Sequence, residues 1–488
     1  MTRLLRAAIL ITFIFSAKNA FAANWYVLKG ATGSNNGTSW TNAWNELNQI
    51  NFSTVACGDT VWIAGNNGGA AYTGNLSPTK VCTAGTVLNI MRVRATDSVP
   101  VAAPGWVSTF DSQVTATNIN IPLGGAFWTL DGRVGDAQSG VAYGIQLNNS
   151  TDGWLGVIAD PSSGTVAGIT VSHVEIHGPS CVTAGTCNSA NWALALQNGS
   201  NFSVTVDHSW FHQFGEVIHG PTGKSNSLVL QYSYIGEDVK VNNNEHEDLL
   251  YTSDPCAKMT FIGNRWYSSG NDGIFMDNAG CVNGFVFINN VFFHWGGWAM
   301  EFGKTGTCGP YIILNNTFAN DGLGADGAGG EYPYGFINTG GCAVSPSSSI
   351  ANNILYNTSL GGTTNTQTVF NAGTTASGGG FSCGTGCFSY SLASPIQNFN
   401  GFVNFVPAGS NSQTIVRADL HLSSAGKTLF QGKGENLTAQ CSNYPALCTD
   451  LDGNARPATG AWDLGAYVFS GSQAQVPQPP TALSATVQ

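Results

Sequence analysis

Apolar residues in the middle of this chain recur in a fixed pattern: a short apolar strand, two polar residues and a second apolar strand. The pattern occurs six times, and the polar pair is Asn-Asn in three of the copies. Two of the five intervals between successive copies are 26 residues, and the others run from 24 to 37. A strand-and-loop repeat of this length predicts a solenoid in which each unit stacks on the previous one. The six copies are Val204–Phe211, Leu228–Ile235, Thr260–Tyr267, Val286–Phe293, Ile312–Ala319 and Ser349–Tyr356.

The polar pair between the two strands predicts a sharp corner. Asn tolerates the left-handed backbone conformation that such corners need. An Asn that points inward must also satisfy its amide, and stacked Asn residues in successive coils can bond to each other and to the backbone. We therefore expect a ladder of polar side chains, in which the histidine has a structural role. Its predicted members are His208, Tyr232, Asn264, Asn290, Asn316 and Asn353.

These features resemble those of the right-handed parallel β-helix proteins of the pectate-lyase-like superfamily, over residues 24–469. The segment 25–66 resembles the N-terminal cap and first coil of bacterial members, with a short helix near Trp44–Leu47, and 449–468 resembles a closing strand unit. The resemblance implies an all-β solenoid with three strands per coil and the Asn ladder at the second turn. The first strands of five coils would be Glu216–His219, Asp248–Thr252, Gly273–Asp277, Trp298–Phe302 and Tyr334–Asn338.

The two ends of the chain predict export. Residues 1–22 read as a signal peptide, with Arg3 and Arg6 before an apolar stretch and Ala-Phe-Ala at the cleavage site. We expect a β-helix domain over 23–469, secreted to the periplasm or beyond the cell, without a membrane span and monomeric. Residues 470–488 read as a Ser/Gln/Pro linker whose end resembles the first strand of a fibronectin type III module or is a disordered tail.

Twelve cysteines in an exported protein predict disulfides, and their order suggests local pairs. None of the pairs has the CxxC spacing of a zinc site, so a metal role is disfavoured. The Cys256 and Cys308 pairs would each clip neighbouring coils together. The predicted pairs are Cys57–Cys82, Cys181–Cys187, Cys256–Cys281, Cys308–Cys342, Cys383–Cys387 and Cys441–Cys448.

Charge is scarce and predominantly acidic. Only 9% of the residues are charged, and 28 acids face 17 basic residues. Without the signal segment, which contains three of those basic residues and no acid, the net charge would be −14. This charge balance disfavours nucleic acid as a partner, because binding it requires a basic footprint.

The few charges concentrate in one region. Residues 237–277 hold 11 of the 45 acidic and basic residues, around the run Asn242–Asp248. On the predicted register, Glu247 stacks beside Asp272, and Asp277 beside Glu301. The resemblance places saccharide clefts on this face of the solenoid. An acidic solvated loop is the alternative reading.

Paired carboxylates suit glycoside hydrolysis, in which one protonates the glycosidic oxygen and the other activates water or attacks the sugar. The sequence thus predicts a catalytic group on the acidic face and substrate-binding residues around it. The same acids could hold Ca²⁺, which prefers oxygen ligands, with Glu245, Glu247 and Asp248 as its ligands. The catalytic candidates are Glu247, Asp272, Asp248, Asp277 and His246. The binding candidates are Glu216, His219, Arg265, Trp295, Trp298 and Glu301, with Trp295 expected to be exposed as a sugar platform.

Three functions remain open from sequence. The favoured one is a secreted enzyme that hydrolyses a polysaccharide. A calcium-dependent polysaccharide lyase would need a base and a cation to neutralise a uronate, for which Lys240 or Arg265 are candidates. The paired GHG and RIK motifs of polygalacturonases and the Arg-centred motif of pectate lyases are not recognisable. The third is a non-catalytic carbohydrate-binding or adhesive surface protein.

Overall fold

The computed structural model describes residues 22–66, 69–136, 140–150, 156–159, 165–179, 192–196, 201–223, 225–236, 248–253, 256–269, 271–277, 284–295, 298–302, 307–320, 335–338, 343–345, 347–357, 370–371, 388–390, 402–404 and 419–469. Within these ranges the chain forms three long sheets whose strands are all parallel to their neighbours. The stacked parallel sheets confirm the predicted parallel β-helix.

The strands of each sheet follow one another in chain order, one per coil. Sheet 1 consists of Asn24–Val27, Thr60–Ile63, Leu88–Arg92, Trp128–Asp131, Thr165–Ser172, Asn201–Asp207, Ser227–Gln231, Lys258–Ile262, Phe285–Ile288, Tyr311–Leu314 and Ser349–Ala351. Sheet 2 consists of Val114–Thr117, Ile145–Asn148, Val174–His177, Trp210–His212, Tyr234–Gly236, Arg265–Ser269, Val291–Trp295, Thr317–Asn320, Ile354–Asn357 and Phe388–Tyr390. Sheet 3 consists of Ile121–Pro122, Gly156–Ala159, Trp192–Ala195, Ile218–His219, Leu250–Thr252, Ile274–Met276, Trp298–Phe302, Gly335–Asn338 and Phe370–Asn371.

The remaining elements are short. Thr307–Cys308 pairs with Ala343–Val344, and Phe402–Asn404 pairs antiparallel with Asp419–Leu422. Two α-helices span Ser98–Ala102 and Ser424–Phe430. Single 3₁₀ turns span Leu47–Gln49, Ser108–Phe110, Thr438–Ser442 and Pro445–Cys448. The short helix predicted at the N-terminal end is therefore the 3₁₀ turn at Leu47, and the two α-helices were not predicted.

One coil runs through the three sheets in turn, for example Lys258–Ile262, Arg265–Ser269 and Ile274–Met276. The predicted repeat thus covers sheets 1 and 2, and the predicted first strands form sheet 3. Inward side chains of successive coils stack in the core. The rings of Trp266 and Phe292 are parallel with centroids 6.0 Å apart. Parallel strands buried in this way explain the almost continuous apolar runs.

The corner between sheets 1 and 2 contains the predicted Asn ladder. Asn290 accepts bonds at Oδ1 from the backbone N–H of Asn264 at 2.8 Å and from its side-chain amide at 3.0 Å. The same pattern repeats from Asn290 to Asn316 and from Asn316 to Asn353. All four side chains are buried.

The ladder begins one residue later than predicted in two coils. Ser209 and Ser233 occupy the ladder positions, and their hydroxyls accept backbone N–H bonds from the preceding coil. His208 and Tyr232 precede them, at the corner position where the backbone has positive φ. Their rings lie side by side, 5.2 Å apart, outside the ladder. The predicted ladder aligned the polar residues of each coil by polarity alone. In the structure, hydrogen bonds between coils decide which residue occupies the ladder position.

The first Asn of each Asn-Asn pair has a different role. Asn289, Asn315 and Asn352 have positive φ, and their amides bond to the backbone of the C-terminal segment. That segment, residues 431–469, lies over the outer faces of sheets 1 and 2, where Trp462 is buried. Residues 449–468 therefore cover the flank of the solenoid, and contain no regular strand that would close its end.

Two of the predicted disulfides are present among the described residues, Cys57–Cys82 and Cys441–Cys448. Cys256 is also disulfide-bonded, but its predicted partner Cys281 lies outside the described residues. Cys181, Cys187, Cys342, Cys383 and Cys387 lie outside them as well, so the other pairings stay predictions. No helix in the described ranges is long and apolar enough to cross a bilayer.

Candidate functional site

Three acids enter sheet 3 at the same position in successive coils. Ile218 pairs with Leu250 and Leu250 with Ile274, so the residues two positions earlier are also aligned. Those residues are Glu216, Asp248 and Asp272, which form what we call the carboxylate column. Asp248 thus lies beside Asp272, whereas Glu247, the predicted partner of Asp272, lies outside the described residues.

The carboxylate column is buried and bonded to the backbone. The exposed fractions of Glu216, Asp248 and Asp272 are 4%, 0% and 5%. Asp248 accepts at Oδ1 from the N–H of Asp272 at 3.0 Å, and Asp272 accepts at Oδ1 from the N–H of Trp298. Each of these two side chains therefore bonds to the backbone of the next coil, whereas each Asn of the ladder at the other corner accepts from the coil before it. Both arrangements join successive coils, but here with a carboxylate in place of an amide.

Placing carboxylates here has an electrostatic cost. Burial first, and then repulsion from Asp248 and Glu301, raise the pKa of Asp272 well above its ordinary value. A side-chain hydrogen bond with Glu301 acts in the same direction. Asp272 therefore holds a proton more readily than an ordinary carboxyl, which equips it to donate one.

A second column on the outer face of sheet 3 lies beside the acids. Its members at one strand position are His219, Tyr251, Phe275 and Glu301. The rings of His219 and Tyr251 are 5.5 Å apart, and those of Tyr251 and Phe275 are 5.7 Å apart. Trp192 stacks on His219 at 4.2 Å. Tyr251, Phe275 and Trp192 were missed, although Tyr251 and Phe275 lie inside strands that the repeat predicted.

Asp277 is hydrogen-bonded to Tyr251. Burial and then the neighbouring carboxylates, Asp277 foremost, raise the pKa of this phenol, which therefore keeps its hydrogen and donates it. Phe275 is the direct partner of Glu301, so Asp277 lies diagonally across from Glu301. The prediction that these two acids stack directly is wrong by two residues. Both are half-buried, whereas the carboxylate column is fully buried.

His219 and Glu216 form a close pair. Nδ1 of His219 is 2.6 Å from Oε1 of Glu216. Burial lowers the pKa of His219 to about 4. The ring is therefore neutral near pH 7 and donates its Nδ1 hydrogen to Glu216. This bond fixes the orientation of the ring between Trp192 and Tyr251.

Arg265, predicted to bind substrate, lies elsewhere. It belongs to sheet 2, where its guanidinium lies over the ring of Tyr234 at 5.2 Å and donates to the hydroxyl of Tyr467 at 3.4 Å. These contacts attach the C-terminal segment to sheet 2. The prediction rested on closeness in sequence to the acidic run, but one corner of the solenoid separates the two faces.

The structure places Trp295 and Trp298, which were both predicted to bind substrate, in different surroundings. Trp295 is fully buried, with its ring 5.5 Å from that of Phe292, so the predicted exposed sugar platform is wrong. The strand of sheet 2 continues as far as Trp295, and this carries the ring into the core. Trp298 is half-buried, begins a strand of sheet 3 and donates its N–H to Asp272. It therefore flanks the acids as predicted.

Glu245, His246 and Glu247 lie outside the described residues, so their predicted roles stay predictions. Among the residues that the structure does describe, no group of three or more His, Cys, Asp or Glu side chains is arranged to hold a metal ion. The described acids thus do not by themselves form a calcium site.

Comparison with known proteins extends the fold assignment only. No protein-family model matches the chain, and no curated protein does. Among solved structures, the chain is similar to pectate lyase Pel9A, with a TM-score of 0.51 and 14% sequence identity over 92% of this chain and 98% of that one. At this identity the likeness establishes a shared parallel β-helix fold.

Proposed function

We propose that this protein is an exported enzyme that hydrolyses a polysaccharide on the outer face of sheet 3. The observation that carries the proposal is the burial of Asp272 beside Asp248 and Glu301, an arrangement that raises its pKa. Perturbed carboxyls cluster at catalytic sites, because an acid and a base must coexist near neutral pH. Asn performs the same backbone-bonding task in the other ladder, so structure alone does not require a carboxylate here.

The geometry suggests a role for each acid. Asp272 and Glu301 share a hydrogen bond, and Glu301 is the member nearer to solvent. This pair would donate a proton to the glycosidic oxygen as the bond from that oxygen to the anomeric carbon breaks. Asp277, oriented by Tyr251, would take a proton from the water whose oxygen bonds to the anomeric carbon.

The separation between the two groups fits inversion. One strand spacing of ~4.8 Å and two residues of ~3.3 Å each put the backbones of Asp277 and Glu301 ~8 Å apart. Inverting glycosidases separate their carboxyl groups by ~6.5–9.5 Å, which leaves room for water. His219 and Trp298 would border the bound sugar.

The second candidate is a polysaccharide lyase, which the similarity to pectate lyase Pel9A favours. A lyase removes a proton from the carbon beside a uronate carboxylate and leaves an unsaturated sugar, without adding water. Lys240 and the ligands predicted for Ca²⁺ other than Asp248 lie outside the described residues. The two reactions give different products, so chemistry distinguishes them directly.

The test is an assay on a panel of plant, algal and bacterial glycans, following both reducing ends and the ultraviolet absorbance of unsaturated products. We expect reducing ends without unsaturation, and inversion at the anomeric carbon by NMR. Asp272→Asn, Glu301→Gln and Asp277→Asn should each lose at least about a hundredfold in activity. Asp452→Asn, in the C-terminal segment, is the control and should stay active.

Three results would contradict the proposal. Unsaturated products would establish the lyase, and binding without any product would favour the adhesive reading. Full activity of Asp272→Asn on the cleaved glycan would place the chemistry elsewhere on the molecule.

A further inference from the structure

A histidine on the outer face of sheet 3 is held between two aromatic rings. Trp192 stacks on His219 with the ring centroids 4.2 Å apart and the planes 20° apart. Tyr251 stacks on it at 5.5 Å and 21°. Trp192 belongs to the coil before His219 and Tyr251 to the coil after it, so the two rings cover both faces of the imidazole. A ligand on this face of the solenoid therefore meets an edge of the imidazole.

Glu216 determines which nitrogen of the imidazole carries the hydrogen. Nδ1 of His219 is 2.6 Å from Oε1 of Glu216, whose side chain is only 6% exposed. Burial lowers the pKa of His219 to about 4, so the ring is neutral near pH 7 and carries one hydrogen. The bond to Glu216 places that hydrogen at Nδ1. Nε2 is therefore a hydrogen-bond acceptor.

An acceptor at this position distinguishes between the substituents of a sugar. A hydroxyl has a hydrogen to donate to Nε2 of His219. A carboxylate has only acceptor oxygens, which would face the lone pair of Nε2. It could bond there only to a protonated ring, and burial opposes protonation.

The surroundings of His219 act in the same direction. The nine described strands of sheet 3 contain no lysine and no arginine. At close range, the acids at or beside this face repel an anionic substituent, in a chain whose net charge is already −11. These acids are Glu216, Asp248, Asp272, Asp277 and Glu301.

We propose that His219 is a specificity-determining residue, which selects a sugar unit with a free hydroxyl and without a carboxylate. The glycan bound on sheet 3 is then uncharged at this unit. That a glycan lies on sheet 3 rests on the proposed function, whereas the choice of an uncharged unit rests on the bond between His219 and Glu216.

The selected unit is distant from the bond that is cleaved. His219, Tyr251, Phe275 and Glu301 occupy one strand position in four successive coils. Three strand spacings therefore separate the backbones of His219 and Glu301, which is ~14 Å. His219 should thus affect the affinity for the glycan and not the chemical step.

The test measures binding by the full chain carrying Asp272→Asn, so that no ligand is consumed. The neutral probes are cellotetraose, mannotetraose and galactotetraose, and the acidic probes are the same three oxidised at C6 to uronates. We expect at least one neutral probe to bind at pH 7, and at least about tenfold more tightly than its oxidised counterpart, because like charges placed together cost affinity.

Variants of the same protein then isolate the part played by the histidine. His219→Ala should weaken binding of the neutral probe about fivefold, as loss of one hydrogen bond does, and leave the acidic probe unaffected. His208→Ala removes an exposed histidine at the corner between sheets 1 and 2, so it is the matched control and should bind as the parent does.

Glu216→Gln tests the position of the hydrogen directly. The amide of Gln can donate to Nδ1 of His219, which lets the ring hydrogen move to Nε2 and turns the acceptor into a donor. The ratio of neutral to acidic affinity should therefore fall severalfold, with Tm close to that of the parent. A merely structural role for Glu216 would change both affinities together and leave the ratio constant.

Four results would overturn the proposal: no binding of any neutral probe, equal or tighter binding of the oxidised probes, unchanged affinity in His219→Ala, and an unchanged ratio in Glu216→Gln. None of them involves turnover. Neutral probes that bind selectively to a wild-type protein that releases no product would contradict the hydrolase and leave the role of His219 intact. Product formation with a preference for uronates would do the reverse.

Discussion

At the scale of single residues, two ladders perform the same task with different chemistry. Asn290 and its neighbours bond successive coils with neutral amides, and Asp248 and Asp272 do so with carboxylates. Neutral amides satisfy the backbone at no cost in charge, whereas buried like charges repel. The buried acids therefore lower the stability of the fold, and such a loss of stability is characteristic of functional sites.

Replacing Asp272 by Asn should stabilise the fold while abolishing activity. The pKa of Asp272 is raised in the folded state, so above about its ordinary value of 3.8 the unfolded chain ionises and the folded chain does not. Wild-type stability therefore falls as pH rises, and the neutral Asn escapes this loss. Thermal unfolding at pH 7 should show a higher Tm for Asp272→Asn, and the gain should vanish below about pH 3.8.

A lower Tm for Asp272→Asn at pH 7 would show that the carboxylate stabilises the fold and would remove the argument for catalysis. Asp248→Asn should also raise the Tm at pH 7, because it removes the repulsion between Asp248 and Asp272. Asp452→Asn serves as the control for a change of charge outside the site.

Asn290→Ala should be strongly destabilising. The change leaves the N–H of Asn264 and the carbonyl of Phe261 buried without their partner. Each unsatisfied group costs ~1–3 kcal/mol, so we expect a loss of at least about 2 kcal/mol in the free energy of unfolding by denaturant.

Asn290→Ser is the informative companion variant. Ser209 and Ser233 occupy the same ladder in earlier coils with a hydroxyl as acceptor. Serine should therefore recover part of the loss caused by alanine. Equal loss for Ala and Ser would mean that the volume of Asn290, and not its hydrogen bonding, stabilises this corner.

At the scale of elements, burial decides which aromatic residues serve the core. Trp295 ends a strand of sheet 2 and is fully buried, whereas Trp298 begins a strand of sheet 3 and is half-buried. Only two residues separate them along the chain, but the turn between the sheets directs them to different environments. A tryptophan beside an acidic face is therefore weak support for a sugar platform.

Trp295→Ala should destabilise the protein by ~3–5 kcal/mol, the usual cost of removing a large buried ring. Urea unfolding measures this loss, and Trp298→Ala is the matched comparison, with a smaller expected loss of stability. A Trp295→Ala protein that is as stable as wild type but binds glycans weakly would support the prediction that Trp295 is an exposed platform for sugar.

At the scale of the whole molecule, the first coils and the C-terminal segment are crosslinked by disulfides of different loop length. The Cys57–Cys82 disulfide closes a loop of 25 residues in the first coils, and Cys441–Cys448 closes one of 7 in the C-terminal segment. The outer Asn residues attach that segment to the flank of the solenoid.

Loss of the longer crosslink should cost more. Chain entropy predicts about 3.5 kcal/mol for the 25-residue loop and about 2.4 kcal/mol for the shorter one. We therefore expect Cys57→Ser with Cys82→Ser to lower the free energy of unfolding more than Cys441→Ser with Cys448→Ser. The reverse order would mean that the C-terminal cover, and not the first coils, limits stability. Peptide mapping without reduction would test the remaining predicted pairs, Cys256–Cys281 and Cys308–Cys342 first.

The sequence by itself determined the architecture. The repeat spacing and the Asn-Asn corners predicted a solenoid, and the resemblance to parallel β-helix proteins then placed five of the nine strands of sheet 3 within two residues, because a stack of similar coils repeats its pattern along the chain. The gathering of Glu216, Asp248, Asp272 and Glu301 on one face followed from the same repeat.

Only the tertiary structure decided the register within that frame and the surroundings of each side chain. A shift of one or two residues made Asp248 the neighbour of Asp272, and moved His208 out of the ladder. Because the chain turns at the corners of the solenoid, Arg265 lies on sheet 2 and Trp295 lies in the core. The physical reason is that contacts between coils join residues 24 to 37 positions apart, and hydrogen bonds across that separation fix which side chains meet.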